Sequence, residues 1–304
     1  MRHILDIPDL SADEISHLLT DAARLKAARR VRAADDLPLR GRVVGLVFEK
    51  PSLRTRVSFE SAVAQLGGTS LFLPGNEVGL GWRETVEDFG RVIGQYVDAL
   101  VARVFKHDTV RGIAGLGLCP VINGLSDQAH PCQVLADLLT IKEAFGEIRG
   151  RTVVFVGDGN NVAKSLAYGC GKLGAAFVLA SPPGYGFDAA YREAFRRLAP
   201  LGTVSETHDP RAAVKAADII YTDVWTSMGQ EKEKEKRIAE FAEFQVNDKL
   251  LSLAPPDAKV LHCLPAHRGE EITGDVLDGP RCLAFPQAGN RLHAQKALLA
   301  WLLG

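Results

Sequence analysis

The chain has 304 residues, more than a single hydrophobic core usually organises, so two domains of roughly 150 residues each are expected. Its composition is ordinary for a globular protein, with 46% hydrophobic and 24% charged residues. The 36 basic and 37 acidic residues give a formal net charge of -1 without a basic block, which excludes nucleic acid as an expected partner.

The sequence also argues against a membrane protein and against a disulfide framework. No stretch approaches the roughly 18 apolar residues of a membrane span, and an acidic residue, Asp6, precedes any long apolar run. We therefore expect a cytoplasmic protein without a membrane partner. The five cysteines are odd in number and lack a Cys-x-x-Cys pair, which favours reduced thiols over disulfides or a zinc ribbon. They are Cys119, Cys132, Cys170, Cys263 and Cys282.

The first predicted element is an amphipathic helix that begins after Ser11. Glu14 completes a capping box with this serine, and apolar residues follow at helical spacing. Beyond it, apolar runs of strand length alternate with helical patterns, which predicts a parallel sheet covered by helices. The predicted strands are Val43 to Phe48, Ala99 to Phe105 and Cys119 to Ile122, and the predicted helices begin at about Ser52, after Phe105 and at Pro131, the last one ending at Phe145.

A second series of the same kind follows Gly146 and Gly150, so the domain boundary is expected at 147 to 150. Its predicted strands are Val153 to Val156, Ala176 to Ala180, Ile219 to Thr222, Val260 to Cys263 and Cys282 to Phe285. The charged run from Glu231 to Arg237 predicts a solvated helix face. The fold class is therefore α/β with two domains, each a parallel sheet flanked by helices, and a C-terminal helix, Asn290 to Leu303, that returns to the first domain.

The segment from Phe48 to Arg56 carries the clearest chemical signal. It joins a predicted strand directly to a helix start that is rich in hydroxyls and guanidinium groups. Unpaired N–H groups and the helix dipole favour an anion at a helix N-terminus, and Ser52, Arg54 and Thr55 add donors for phosphate oxygens. The alternative is that Ser52 only caps the helix while the arginines lie on the surface.

Three other clusters follow predicted strands or open a helix. His130 and Gln133 flank the start of the long helix, where both can reach a small polar ligand. The segment Asp223 to Gly229 offers a carboxylate, a hydroxyl and a flexible glycine. The segment His262 to Arg268 suggests zinc, but adjacent side chains on a strand point to opposite faces, so we expect no metal.

In their order and spacing, these four segments resemble the signature of the carbamoyltransferase family, along essentially the whole chain. The Ser-x-Arg-Thr-Arg and His-Pro-x-Gln elements are similar to carbamoyltransferases in general. The elements Asp-x-Trp-x-Ser-Met-Gly and His-Cys-Leu-Pro, together with Asn290 to His293, resemble the ornithine branch in particular.

The resemblance implies transfer of the carbamoyl group of carbamoyl phosphate to the side-chain amine of L-ornithine, in arginine biosynthesis or in the reverse, catabolic direction. It implies no cofactor, and a homotrimer. It also implies a carbamoyl-phosphate-binding domain of residues 1–148 plus about 288–304, an ornithine-binding domain of residues 149–287, and an active site in the cleft.

The resemblance further implies roles for individual residues. The implied catalytic residues are Cys263, Arg103 and His130. The implied carbamoyl-phosphate ligands are Ser52, Leu53, Arg54, Thr55, Arg103, His130, Gln133, Cys263, Leu264 and Arg291. The implied ornithine ligands are Asn161, Asp223, Ser227 and Met228. Attack on the carbamoyl carbon puts negative charge on its oxygen, which preorganised donors such as these stabilise. Two groups remain as candidates for the acceptor of the amine proton, namely the cysteine and the leaving phosphate.

Two positions depart from the family pattern. Leu53 stands where threonine is frequent, and its side chain should matter least in that motif. Many relatives carry a glutamine that reaches a neighbouring subunit's site, and Gly79 stands at that position here. Trp82 or Arg83 can take over this role across the subunit boundary.

Other functions remain as alternatives. Gly157 to Asn161 after a strand suggests a nucleotide-dependent oxidoreductase, but Val162 occupies the third glycine position and no acid follows the next strand to hold a ribose. A non-enzymatic scaffold is a further alternative, but it would not need all of the polar site residues named above. Within the family, aspartate and N-acylated ornithine are alternative acceptors, although Asp223 suits a cationic substrate.

Overall fold

The computed structural model describes residues 1–31, 37–226 and 231–304. The chain divides into two compact units, one made of Met1–Leu139 with Asn290–Gly304 and the other of Thr140–Gly289. The assignment of substrates to domains of residues 1–148 and 149–287 stays a prediction. Among the described residues, every helix is too short or too polar to span a bilayer.

The first unit is built on parallel strands. They are β1 (Val43–Phe48), β2 (Thr69–Pro74), β3 (Ala99–Arg103) and β4 (Val121–Leu125), in the sheet order β2-β1-β3-β4. The helices of this part are α1 (Ala12–Val31), α2 (Leu53–Gln65), α3 (Gly75–Val78), α4 (Val86–Ile93), α5 (His107–Gly115) and the start of α6 (Pro131–Phe145). Short 3-10 helices in the chain cover Ile7–Asp9, Glu231–Glu233 and Ala242–Phe244.

The second unit repeats this layout. Its parallel strands are β5 (Thr152–Val156), β6 (Ala176–Ala180), β7 (Thr203–Thr207), β8 (Ile219–Thr222) and β9 (Lys259–His262), in the order β7-β6-β5-β8-β9. Its helices are α7 (Asn161–Lys172), α8 (Ala189–Leu198), α9 (Pro210–Val214), α10 (Lys234–Phe241), α11 (Asp248–Leu251) and α12 (Gly274–Asp278). The helix α13 (Ala284–Leu303) begins in this unit and ends in the first one. The predicted fold class is confirmed.

Local signals explain where several elements begin. The Ser11 hydroxyl accepts the Glu14 N–H at 3.2 Å, and the Glu14 carboxylate accepts the Ser11 N–H at 2.8 Å, so the predicted capping box starts α1. The predicted bounds of β1 and α6 match the observed elements. Five of the six β1 residues are buried, as expected for a strand covered on both faces.

One predicted strand is wrong. Cys282 to Phe285 forms only an isolated bridge between Cys282 and Val260, because α13 begins at Ala284. Pro286 lies in the first turn of that helix, where a missing N–H breaks no hydrogen bond. The segment from Cys282 to Phe285 therefore leads into the start of α13 and does not form a strand.

The order of the strands determines where ligands can bind. From β1 and β3 the chain proceeds in opposite directions, to β2 on one side and to β4 on the other. The neighbours β5 and β8 form the same kind of switch in the second sheet. In open parallel sheets, ligands bind outside the carboxyl ends of the strands at such switch points. Each unit therefore has one preferred edge for a site.

Candidate active site

In the first unit, the switch point is occupied by the N-terminus of α2. Ser52 is its N-cap, and its hydroxyl accepts the Thr55 N–H at 3.3 Å and lies 3.1 Å from the Thr55 hydroxyl. Strand β1 ends four residues earlier, at Phe48, so the helix dipole and the first N–H groups of α2 point to the carboxyl edge of the sheet. This is the arrangement that binds a phosphate.

A buried hydrogen-bond chain connects this terminus to α13 and α6. The Arg291 guanidinium donates to the Thr55 hydroxyl and to the Gln133 side-chain oxygen, both at 2.8 Å. The Gln133 amide donates in turn to Asp137 at 2.8 Å. Thr55, Gln133 and Asp137 are fully buried, and Arg291 is 3% exposed. Three elements that are distant in sequence are thus fixed around one point.

Positive charge is concentrated beside this chain. Arg103 ends β3 and is 5% exposed, yet its Nε atom has no hydrogen-bond partner among the described residues. Burial, together with repulsion from Arg291 and Arg54, lowers the pKa of Arg103 to about 10, so the guanidinium is still a cation at neutral pH. A buried cation with an unused donor indicates a site for an anion.

His130 lies against the same charges. It precedes α6 and is 4% exposed. Burial and the neighbouring cations Arg291 and Arg103 lower its pKa well below 6.5. The imidazole is therefore neutral at pH 7, and it can donate a hydrogen bond without adding a further charge.

Two residues of the first motif point away from this cluster. The Leu53 side chain is 77% exposed, and its backbone N–H belongs to the first turn of α2. Arg56 stacks over Phe72, with its Cζ atom 3.6 Å from the ring centroid, and pairs with Glu60 at 2.9 Å. The resemblance implied Arg54 and not Arg56 as a ligand, and the stacking of Arg56 on Phe72 agrees with that choice.

Gly79, the position at which the family resemblance implies a glutamine, is required by the backbone of this chain. It is in the left-handed region, with φ at +66°, and a Cβ atom there would lie 2.6 Å from the Cβ of Arg83. A larger residue at this position therefore needs a different loop conformation. Of the two alternatives, Trp82 is 77% exposed, and the Arg83 guanidinium donates to the Glu77 carbonyl oxygen at 3.2 Å.

In the second unit, Asp223 follows β8 at the switch point. One of its carboxylate oxygens accepts the Cys263 S–H at 2.8 Å and the Val224 N–H at 2.8 Å, and the other accepts the Asn160 amide at 2.9 Å. Asp223 is 8% exposed, so it presents an oriented carboxylate in a mostly dry environment. Such a group favours a cationic ligand.

The other predicted ligands of this unit surround the same strand ends. Asn161 is the first residue of α7, and Asn160, the N-cap, binds the Asp223 carboxylate. Cys263 and Leu264 follow β9, and Leu264 is partly buried with φ at 57°. Ser227 and Met228 lie outside the described residues.

The charged run is not simply a solvated face, because Arg237 is buried. It is 5% exposed, and its guanidinium binds Asp158 at 2.7 Å and the Trp225 carbonyl oxygen at 2.9 Å. The expectation fails at this residue because Asp158, at the end of β5, supplies a partner that sequence spacing does not reveal. Burial, the first cause, and repulsion from Asp223 raise the pKa of Asp158, although Arg237 opposes the shift.

The donors that suggested zinc have other partners. The His262 ring binds Glu271 at 3.0 Å, whereas the Cys263 thiol binds Asp223. Within the described parts of the chain, the one cluster whose donor atoms lie within 4.8 Å of one another consists of His267, Glu270 and Glu271.

Sequence reasoning missed two polar residues that hold the predicted ligands in place. Asp137 lies four residues after Gln133 on α6, and this spacing was a usable signal. Asn160 precedes a predicted helix start, as an N-cap residue does. Both contacts fix the orientation of a predicted ligand.

The two halves of the chain match two family descriptions. Residues 2–143 match the aspartate/ornithine carbamoyltransferase carbamoyl-P binding domain. Residues 149–302 match the aspartate/ornithine carbamoyltransferase Asp/Orn binding domain.

Individual proteins are similar over their full length. An ornithine carbamoyltransferase of Bacillus subtilis is 49% identical over 99% of this chain and 94% of that protein. An anabolic ornithine carbamoyltransferase of Pyrococcus furiosus is 50% identical over 100% of this chain and 96% of that protein.

Solved structures agree with these similarities. An ornithine carbamoyltransferase from Pyrococcus furiosus has a TM-score of 0.96 at 49% identity, covering 100% of this chain and 97% of that one. An anabolic ornithine carbamoyltransferase from Campylobacter jejuni has a TM-score of 0.92 at 39% identity, covering 99% of each chain. On the strength of matches in both halves and identities near 50%, this chain belongs to the aspartate/ornithine carbamoyltransferase family.

Proposed function

We propose that this protein transfers the carbamoyl group of carbamoyl phosphate to the δ-amine of L-ornithine, giving L-citrulline and phosphate, in arginine biosynthesis. The names of the relatives support the reaction, and the two anabolic enzymes among them support the biosynthetic direction. The observation that carries the proposal is the cluster of Arg103 and Arg291 at the N-terminus of α2, which suits a small phosphorylated substrate.

We assign the phosphate group to the first unit. Ser52, Thr55 and the N–H groups of the helix terminus supply neutral donors. Arg54, Arg103 and Arg291 supply the charge. Leu53 contributes its backbone N–H. This set stabilises phosphate as it leaves, because negative charge on the leaving oxygen grows as the bond to carbon breaks.

The carbamoyl group is assigned to His130, Gln133 and Arg103. Attack on the carbamoyl carbon places negative charge on its oxygen. A neutral His130 and a cationic Arg103 both donate hydrogen bonds to that charge, and they are already desolvated by burial. Gln133, held by Arg291 and Asp137, orients the carbamoyl group.

Ornithine is assigned to the second unit. The Asp223 carboxylate pairs with the α-ammonium, and Asn161, Ser227 and Met228 are the further ligands that the family motif implies. Aspartate as the acceptor is disfavoured, because the oriented carboxylate of Asp223 repels a second carboxylate.

The proton of the attacking amine is assigned to the leaving phosphate. A new C–N bond forms at the carbamoyl carbon, the C–O bond to phosphate breaks, and the amine proton is transferred to the phosphate. Cys263 donates its S–H to Asp223, so its thiol serves as a donor that orients this carboxylate. We propose that Cys263 acts next to the reacting groups by orienting Asp223, and that with Leu264 it contacts the carbamoyl group. The reaction requires no cofactor.

A citrulline assay tests the proposal. The purified protein is incubated with carbamoyl phosphate and, in separate reactions, ornithine, N-acetylornithine, putrescine or aspartate. Carbamoylation of ornithine far above the other amines supports the proposal, and preferential carbamoylation of aspartate or acylated ornithine rejects it. Putrescine lacks the α-carboxylate and thus measures how much that group contributes.

The quaternary structure and location are proposed on the same basis. A homotrimer has about three times the 32.8 kDa mass of the chain, which light scattering after size exclusion measures directly. A monomer at micromolar concentration contradicts the trimer.

A cytoplasmic location is tested by fractionating cells that express the native protein.

A further inference from the structure

The end of β9 contains a buried polar pair that the proposed reaction does not use. His262 is fully buried, and its Nε2 atom lies 3.0 Å from Oε1 of Glu271, which is also fully buried. Both residues belong to the second unit. Burying two ionisable side chains is costly unless they are fully hydrogen-bonded, so their partners reveal their role.

The hydrogen bonds of His262 fix its tautomer. The backbone N–H of Leu264 donates to Nδ1 at 2.9 Å. An amide N–H only donates, so Nδ1 carries no proton, and the Nε2–H of the neutral ring donates to Glu271. The same Glu271 oxygen accepts the His267 N–H at 2.6 Å. The pair therefore ties down the backbone at both 264 and 267.

Leu264 needs such a restraint. Its φ of 57° is in the left-handed region, and it is the one non-glycine residue with positive φ in the described part of the chain. A residue with a branched side chain adopts this conformation only when surrounding contacts hold it. The bond from the Leu264 N–H to His262 is such a contact, and it directs Cys263, the preceding residue, to Asp223 at 2.8 Å.

We propose that His262 and Glu271 are positioning residues for carbamoyl transfer, which hold Cys263 and Leu264 in the conformation that orients Asp223. The effect on catalysis rests on the proposed function, whereas the hydrogen bonds of His262 and Glu271 do not. His262 acts through the backbone of Leu264, and Glu271 acts by holding the ring of His262 in one tautomer.

Two substitutions at His262 separate positioning from simple stability. His262→Asn places an amide oxygen where Nδ1 was, and so keeps the acceptor for the Leu264 N–H. His262→Gln reaches Glu271 instead and loses that acceptor. Each variant keeps one of the two hydrogen bonds, so a purely structural role predicts similar losses of melting temperature and of activity in both.

Positioning predicts a different outcome. We expect kcat of His262→Gln to fall at least about tenfold, while His262→Asn stays within about threefold of the wild type. The KM for carbamoyl phosphate should change by less than about threefold in both variants, because its phosphate ligands lie in the first unit. Equal losses of kcat in the two variants overturn the proposal.

Hydrogen exchange separates the geometry from the function. In a peptide that covers residues 262–268, the amide of Leu264 should exchange slowly in the wild type and in His262→Asn, and fast in His262→Gln. Equal exchange in all three proteins rejects the restraint, whether or not the enzyme carbamoylates ornithine. If the three proteins show the expected exchange but the wild type forms no citrulline, the proposed function is rejected and the restraint on Leu264 is retained.

Glu271 is tested in parallel. Glu271→Gln keeps an oxygen acceptor for the His262 Nε2–H and should retain kcat as His262→Asn does. Glu271→Met removes that acceptor, so the ring can change tautomer and withdraw Nδ1 from the Leu264 N–H, and this variant should behave like His262→Gln. Tyr191→Phe is the control, because it removes a hydroxyl of a buried side chain that donates to the Lys164 carbonyl oxygen at 2.7 Å and has no hydrogen bond to His262 or Leu264. It should leave kcat unchanged, and a loss equal to that of His262→Gln contradicts the specific role of His262.

Discussion

At the scale of single residues, the chemistry depends on which side chain of a motif is turned inward. Arg54 and Arg56 are two residues apart on α2, but the half-buried Arg54 lies near enough to Arg103 to lower its pKa, whereas Arg56 stacks on Phe72 at the surface. The resemblance implied Arg54 alone as a ligand, but the stacking partner of Arg56 was not predictable, because it depends on β2 lying beside the helix.

The first prediction compares these two arginines. Arg54→Lys keeps the charge but loses the planar pair of donors, so kcat should fall at least about tenfold, or roughly 1.4 kcal/mol of transition-state stabilisation. Arg56→Lys, the matched control, should change kcat by less than about twofold. Steady-state kinetics with saturating ornithine measures both. Unchanged kinetics in Arg54→Lys removes this arginine from the site.

His130 provides a prediction about pH. Its folded pKa lies well below 6.5, so below pH 6.5 the unfolded chain binds more protons than the folded chain. The free energy of unfolding should therefore fall as pH decreases from 6.5 towards the folded pKa, and this contribution is fully present above 6.5. In His130→Gln, the free energy of unfolding should depend less steeply on pH, by up to about 1.4 kcal/mol per pH unit. Urea unfolding of both proteins at pH 7, 6 and 5 and at equal protein concentration gives the slopes. Parallel slopes contradict a neutral buried His130.

At the scale of elements, the buried strands were predictable, including β4 and β9 at sheet edges, whereas β2 and β7 were not. The buried strands β1, β5 and β8 appear in sequence as apolar runs. The strands β2 and β7 lie at the edges of their sheets and contain exposed or half-exposed residues, so no such run marks them. The order of the strands, which places both polar clusters at switch points, likewise depends on tertiary pairing.

The start of α2 combines capping with anion binding, and one substitution separates them. Ser52→Ala should cost about 1 kcal/mol of stability through the lost cap. Ser52→Asp keeps an N-cap acceptor, so stability should be retained, but its charge should repel phosphate and raise the KM for carbamoyl phosphate at least about tenfold. The control Thr85→Asp alters the cap of α4 and should leave that KM unchanged. Equal KM values for Ser52→Asp and the wild type exclude phosphate from this terminus.

The helix α10 gives a prediction about stability. Arg237→Met leaves Asp158 buried without its cation, which should cost about 3 kcal/mol. The neighbouring Lys236 is 69% exposed, and Lys236→Met should change stability by less than about 0.5 kcal/mol. Denaturant unfolding of both variants is the measurement. Similar stabilities would place Arg237 among ordinary surface charges, as the alternating sequence first indicated.

At the scale of the whole molecule, the first unit is assembled from both ends of the chain. Residues 290–304 of α13 return to it and supply Arg291, which binds Thr55 and Gln133. Near the termini, Arg2 lies over the ring of Trp301, with its Cζ atom 4.5 Å from the centroid. The alternation of elements along the sequence indicated two domains. The resemblance implied Arg291 as a ligand carried by the returning helix, but its buried bonds to Thr55 and Gln133 were not predictable from the sequence.

A pair of circular permutants tests this dependence. Since both ends lie in the first unit, a linker of about six residues, spanning up to roughly 20 Å, can join Gly304 to Met1. Opening the chain between Gly146 and Glu147 cuts the loop between α6 and β5 at two exposed residues, so citrulline formation should stay within about threefold of the wild type. Opening it between Gly289 and Asn290 cuts α13 and places a charged terminus at a fully buried residue whose side chain accepts from Lys26 at 2.7 Å. That permutant should lose activity and melt at a lower temperature, because Arg291 is no longer held against Thr55. Equal activity of the two permutants would mean that the unbroken helix is not needed to deliver Arg291 to the site.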